Sequence, residues 1–131
     1  MSEDWALLTT QEAIPNAVWI PVSPDGGHQD MRLVAAGFTR ADEPPGATTP
    51  TTGDRLLALH DGCRLIEAAN IPQLSSCVAR KGASGGPILS RTDSGSYRLY
   101  GIISAGDGES VSYFYPSHSL LGRISELSSS H

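Results

Sequence analysis

The residues most suggestive of chemistry lie in "RKGASGGPILS", Arg80 to Ser90, where Gly82, Gly85, Gly86 and Pro87 surround Ser84. A loop with so few side chains is either a tight turn or a place where backbone amides must approach a ligand closely. If Ser84 reacts, the chemistry is acyl transfer. A serine hydroxyl is a weak nucleophile at neutral pH. Attack on a carbonyl therefore needs a base to take its proton and fixed donors for the oxygen that becomes negative. The chain offers His28, His60, His118 and His131 as bases, and Asp4 and Asp107 among its carboxylates.

The elements that must position Ser84 are short. Apolar runs such as "MRLVAAGF", "RLLAL", "CRLIEA", "PILS", "YRLYGIISA" and "VSYFYP" are bounded by Gly, Pro, Ser, Asp and Asn, as are "WALLT" and "AVWIPV" nearer the N-terminus. Short runs with turn signals at near-regular spacing predict an all-β sandwich or barrel. "TDSGS" and "GDGES", the latter containing Asp107-Gly108, read as hairpin connections on either side of "YRLYGIISA". After Pro116, the residues Leu120, Leu121, Ile124 and Leu127 recur at helical spacing, with Ser117 or Ser119 available as N-cap, which predicts one closing helix. Ala41 to Asp54 is rich in Pro and Thr without periodicity and reads as an exposed loop.

Composition narrows the function classes. A chain of 131 residues fits one domain with a single core. Fourteen acidic against nine basic residues give a net charge of -5, and no cationic stripe is present to neutralise phosphates, so nucleic acid is not an expected partner. No apolar run is long enough for a membrane span, and the acidic start "MSEDWALLTT" is unlike a secretory signal. Neither a membrane partner nor a cofactor is expected. Cys63 and Cys77 lack CxxC spacing and clustered histidines, which argues against a metal site and leaves a disulfide or two buried thiols.

Gly82-Ala83-Ser84-Gly85-Gly86 satisfies G-x-S-x-G, the nucleophile elbow of α/β-hydrolases, with Asp107 and His118 downstream in that order. An elbow requires a helix directly after the serine. Gly85, Gly86 and Pro87 are poor helix residues, and the residues beyond them read as strand, turn and strand. The elbow reading therefore fails.

A different family fits better. "GASGGPIL" resembles the G-x-S-G-G-P loop of trypsin/chymotrypsin-like serine proteases, closest to their bacterial branch. "YGIISAG", Tyr100 to Gly106, is similar to the substrate-binding strand that comes after that loop in the family. "DWALLTT", Asp4 to Thr10, resembles the segment carrying the family's triad aspartate. The three segments occur in family order and span most of the chain.

The resemblance implies a chymotrypsin-like Greek-key β-barrel with a C-terminal α-helix, the second barrel of a two-barrel protease. Residues 1–30 would be the end of the first barrel and the connection, and 31–131 the C-terminal barrel. It implies Ser84 as nucleophile, Asp4 as the carboxylate orienting a histidine, and the amides of Gly82 and Ser84 as the oxyanion hole. Val78, Ala79, Ser104, Ala105 and Gly106 would line the primary substrate pocket, with Gly106 leaving its entrance open.

Two departures shape the expectation. The family's histidine lies well upstream of its aspartate, whereas three residues precede Asp4, and none of the four histidines stands in that place. His60, in "LLALHDGC", comes after the aspartate segment and reads as a strand-end or surface histidine; His118 at the start of the terminal helix reads as exposed or capping. The chain alone is expected to be inactive: a C-terminal fragment, one part of a larger enzyme, or a truncated gene product. Its partners would be a polypeptide substrate and a complementary N-terminal barrel carrying the histidine. The alternative is a non-catalytic module that binds extended peptide along "ISAG".

Ala83 is the second departure, because it stands where many animal members carry an aspartate that pairs with a freed N-terminus. The loop should then be held by packing and by Cys63–Cys77 bracing. Bacterial relatives are usually exported, so a secreted or periplasmic protein with the two cysteines bridged is expected.

Overall fold

The computed structural model describes residues 4–40, 55–79 and 82–129, so the Ala41–Asp54 loop and Arg80-Lys81 lie outside the described residues. Six strands are present: β1 (Arg32–Arg40), β2 (Arg55–Glu67), β3 (Gln73–Ser75), β4 (Pro87–Arg91), β5 (Tyr97–Gly106) and β6 (Ser112–Pro116). They close into an antiparallel barrel in the order β1-β2-β3-β6-β5-β4, with β4 returning to β1 through Val34↔Leu89 and Ala35↔Ile88. The protein is thus all-β, and a helix, α1 (Leu121–Ser129), comes after a 3₁₀ turn at its C-terminus.

Local sequence explains the hairpins. In the β4–β5 turn Gly95 takes φ +88° and Thr92 exchanges backbone bonds with Gly95 and Ser96. In the β5–β6 turn the Asp107 carboxylate accepts bonds from the Ser110 hydroxyl (2.7 Å) and from the amides of Ser110 and Glu109 (2.8 and 2.9 Å). These bonds, the Ser110 hydroxyl foremost, hold the Asp107 carboxyl well below the usual carboxylate range.

The runs "RLLAL" and "CRLIEA" are one strand, β2, interrupted by a bulge. Gly62 has φ +86°, and the β1–β2 register shifts between Leu33 and Val34, which face Cys63 and Asp61. A bulge inserts one residue and so reverses the two-residue alternation beyond it. His60, Cys63 and Leu65 therefore share the inner face, while Leu59, Asp61 and Arg64 face out.

Leu33, Leu65, Ile88 and Phe114 are wholly enclosed and Tyr100 nearly so, with the Tyr100 and Phe114 rings 5.6 Å apart and tilted by 56°. Each such side chain contributes roughly 1.5–3 kcal/mol by leaving water. Phe114 lies so close over β5 that a Cβ at Gly101 would overlap its ring, which explains the glycine.

The described part of the segment expected to end a first barrel, residues 4–30, forms no strand beyond one bridge, Val22↔Leu99. The bridge is built from Ser23 N to Leu99 O and Leu99 N to Pro21 O, both 2.8 Å. A strand needs a neighbour along its length, and among the described residues "WALLT" finds none and "AVWIPV" only this one at its end. The segment runs as a strap along the barrel. Its end is pinned where the Tyr100 hydroxyl donates to Gly26 O (2.8 Å) beside Gln73 Oε1 (3.1 Å).

The cap of the C-terminal helical region also differs from expectation. Ser119 Oγ donates back to Pro116 O at 2.6 Å, and Ser117 Oγ is buried without a partner, so neither hydroxyl caps an amide.

Candidate functional site

Hairpins join four of the consecutive strand pairs, since β1–β2, β2–β3, β4–β5 and β5–β6 are neighbours in the barrel. β3 and β4 are not neighbours. Their connection must cross the end of the barrel, and it carries Cys77, Val78, Ala79, Gly82, Ala83 and Ser84.

Within that crossover Ser84 is exposed while Ala83 is buried in the core. Gly82 and Gly85 have φ +95° and +86°, a region that L side chains avoid. Gly85 N donates to Ile103 O (2.8 Å), Ile103 N to Gly86 O (2.9 Å), and Gly86 N to Ala83 O (2.9 Å). A Cβ at Gly86 would lie 2.7 Å from Ala36 O, and one at Gly37 would lie 3.2 Å from Ala83 Cβ. The loop is therefore clamped between β1 and β5, and alanine at position 83 contributes to that packing directly.

β5 bulges beside this loop, where the register with β6 shifts between Ile103 and Ala105. The extra residue is Ser104, and the bulge gives it two tasks. Its carbonyl accepts the Ser84 hydroxyl at 3.3 Å, and its own hydroxyl donates to Asp4 Oδ2 at 2.8 Å. Asp4 is further fixed by its amide, which donates to the Tyr115 hydroxyl at 3.1 Å. Residues 100 positions apart thus meet at one exposed edge of the barrel end. The sequence points to Ser104 only as pocket wall; its bond to Asp4 has no signal in the local pattern.

Val78 is half-buried and Ala79 buried; Ser104 and Ala105 are half-buried and Gly106 is exposed. A Cβ at Gly106 would lie 2.8 Å from Val111 O and 3.3 Å from Ser112 Cβ. The absence of a side chain at Gly106 permits the close approach of β6.

Cys63 and Cys77 form a disulfide with Cα atoms 4.8 Å apart, which ties β2 to the start of the crossover. One residue later Val78 N donates to His60 Nδ1 at 2.9 Å. His60 is therefore an inward, half-buried residue within β2 and not a strand-end or surface histidine. The signal that could have located it is the glycine at position 62, because an isolated glycine inside a strand pattern marks a bulge.

The other histidines are placed differently. His28 is exposed, with Nδ1 near Gln29 O, and His118 Nδ1 is buried without a partner in the 3₁₀ turn. His131 lies outside the described residues. Among the described residues no histidine bonds to Asp4 or Ser84. Asp107 is occupied within its own turn, which removes it as a partner for Ser84. No group of three or more His, Cys, Asp or Glu among the described residues could hold a metal ion, and no described helix is long and apolar enough to cross a membrane.

The arrangement presents an exposed hydroxyl on a rigid glycine loop, with a carboxylate one serine away. It can deliver a nucleophile to a carbonyl if a base is brought to the edge between Ser84 and Asp4. No protein-family model matches the chain, and no curated protein matches it.

Proposed function

We propose that this chain is the serine-bearing part of a chymotrypsin-like serine endopeptidase, completed by an N-terminal barrel that carries the histidine. The observation that carries the reading is the convergence of Asp4, Ser84 and Ser104. These residues come from the three segments whose sequences resemble that family, and two hydrogen bonds link them.

In the complete enzyme the Ser84 oxygen attacks the peptide carbonyl carbon while the histidine takes its proton, and the carbonyl oxygen becomes an oxyanion received by the amides of Gly82 and Ser84. The carbon–nitrogen bond then breaks and the histidine's proton leaves with the amine. Water hydrolyses the remaining ester to a carboxylic acid and free Ser84. Asp4 orients the imidazole. With Val78 and Ala79 at the pocket base and Ser104, Ala105 and Gly106 along one side, no carboxylate awaits an Arg or Lys, so cleavage occurs after uncharged apolar or aromatic residues.

The strap supports a missing neighbour. Leu8, Val18 and Trp19 are 91, 92 and 79% exposed, apolar area that a neighbouring barrel would cover. The disulfide favours an oxidising compartment, secreted or periplasmic. A non-catalytic peptide-binding module is the second reading, favoured by the absence of a histidine bonded to Asp4 or Ser84 among the described residues.

A fluorophosphonate probe separates the readings, because it phosphonylates only an activated serine. The isolated chain should not label rapidly, and the chain joined to an upstream barrel bearing a histidine should label stoichiometrically and lose labelling in Ser84→Ala. Rapid labelling of the isolated chain would overturn the need for an outside histidine. A folded, histidine-complete protein that stays unlabelled would establish the binding module instead.

A further inference from the structure

We propose that His60 is a positioning residue, one whose protonation state decides whether the crossover leading to Ser84 is held against β2 or released at Val78. The inference rests on the proposed function only for its consequence, that the base of the substrate pocket would loosen in acid.

Gly62 places His60 on the same inner face as Cys63, so β2 presents two successive anchors to the crossover. The disulfide fixes Cys77, and His60 Nδ1 fixes the amide of Val78 at 2.9 Å. Two further bonds set the approach: Ser76 N donates to Arg64 O at 2.8 Å and Cys77 N to Ser75 Oγ at 3.2 Å. Beyond Val78 the next described backbone bond that ties the crossover to a strand is that of Gly85 to Ile103, so among the described residues Val78 is the last such tether before the serine loop.

A nitrogen that accepts an amide N–H must carry a lone pair, so this geometry requires the neutral imidazole with its proton on Nε2. The imidazolium carries N–H on both nitrogens and cannot accept. Protonation would set two donors against each other and leave a part-buried amide unpaired.

Little on the packed elements offsets that positive charge. The β1 residue opposite His60 is Ala35, and neither Cys77–Ala79 nor the described serine-loop residues 82–86 bear an ionisable side chain. Asp61 faces outward and is paired with Arg32 at 3.3 Å and Arg91 at 3.9 Å. Arg64 also faces outward, on Asp30 O. The neighbouring Arg80 and Lys81 lie outside the described residues.

The test is an NMR titration of the full chain from pH 8 to pH 5, tracking the His60 ring and the Val78 amide together. The expected result is a Val78 amide shift with the same midpoint as the His60 ring, with the protection factor of that amide falling roughly five- to tenfold once His60 is charged, the equivalent of one net hydrogen bond. His60→Asn places a non-titrating acceptor near the Nδ1 position. It should keep Val78 protected and remove the pH step, whereas His60→Ala should lose protection at every pH. A Val78 amide that ignores the His60 midpoint overturns the proposal, and the wild-type titration alone decides this if a variant does not fold. The readout involves no catalysis, so a failure of serine labelling would leave it standing.

Discussion

The barrel and the strap before it are made from similar residues and meet opposite fates. In the barrel, Leu33, Leu65, Ile88 and Phe114 are wholly enclosed. In the strap, Leu8, Val18 and Trp19 stand almost fully in water. The difference lies in neighbours. A closed barrel gives every strand two hydrogen-bonding partners and every inward side chain an opposing layer, whereas the strap has the barrel on one side only. Clefts of about 450 Å³ and 560 Å³ adjoin the strap, the first between Trp5 and Leu7 and the terminal-helix residue Arg123, the second lined by Trp19, Ile20 and the β5 residue Tyr97. The contrast separates what this chain stabilises by itself from the surface it offers to another body.

The sharpest way to break that comparison is a pair of truncations measured by urea unfolding. Phe114→Ala should cost ~3–5 kcal/mol, because it removes a fully enclosed ring and leaves a cavity beneath Tyr100. Trp19→Ser should change stability by less than about 0.5 kcal/mol, since the side chain is 79% exposed and its loss removes little packing. Equal losses would mean that the strap is as firmly built as the barrel.

A middle-sized effect is expected from the disulfide. Cys63→Ala with Cys77→Ala frees a loop with a sequence separation of 14 and should cost about 3 kcal/mol. The difference should disappear when wild type is melted under reducing conditions. If the double variant melts with oxidised wild type, the bridge contributes nothing to the barrel.

A smaller loss falls on the junction itself. Tyr100→Phe removes the hydroxyl that donates to Gly26 O beside Gln73 Oε1, at a cost of about 1–3 kcal/mol. Hydrogen exchange should quicken at the Ser23 amide, which bonds to Leu99, while amides of the β1–β2 ladder keep their protection. Uniform loss across both regions would show that strap and barrel open as one unit.

What the sequence determined by itself was local. The turns at Thr92–Ser96 and Asp107–Val111, the strands β1, β4, β5 and β6, and the terminal helix derive from glycine placement, short polar side chains and apolar spacing, all of which act between near neighbours. The glycine-rich serine loop was legible for the same reason. Tertiary structure decided the rest. β3 buries Gln73 and Ser75 instead of apolar side chains, so no hydrophobic alternation announced it. β2 joins two apparent strands because β1 supplies a partner from Arg55 through Arg64, across the junction, with Gly62 absorbing the extra residue. "AVWIPV" has the composition of a strand and is none, because only its end, at Pro21 and Val22, finds a backbone partner in Leu99. The bonds from Ser104 to Asp4 and from Val78 to His60 join positions 100 and 18 residues apart. Barrel closure and two bulges bring those groups within hydrogen-bonding distance, and contacts of that separation depend on where the whole sheet closes.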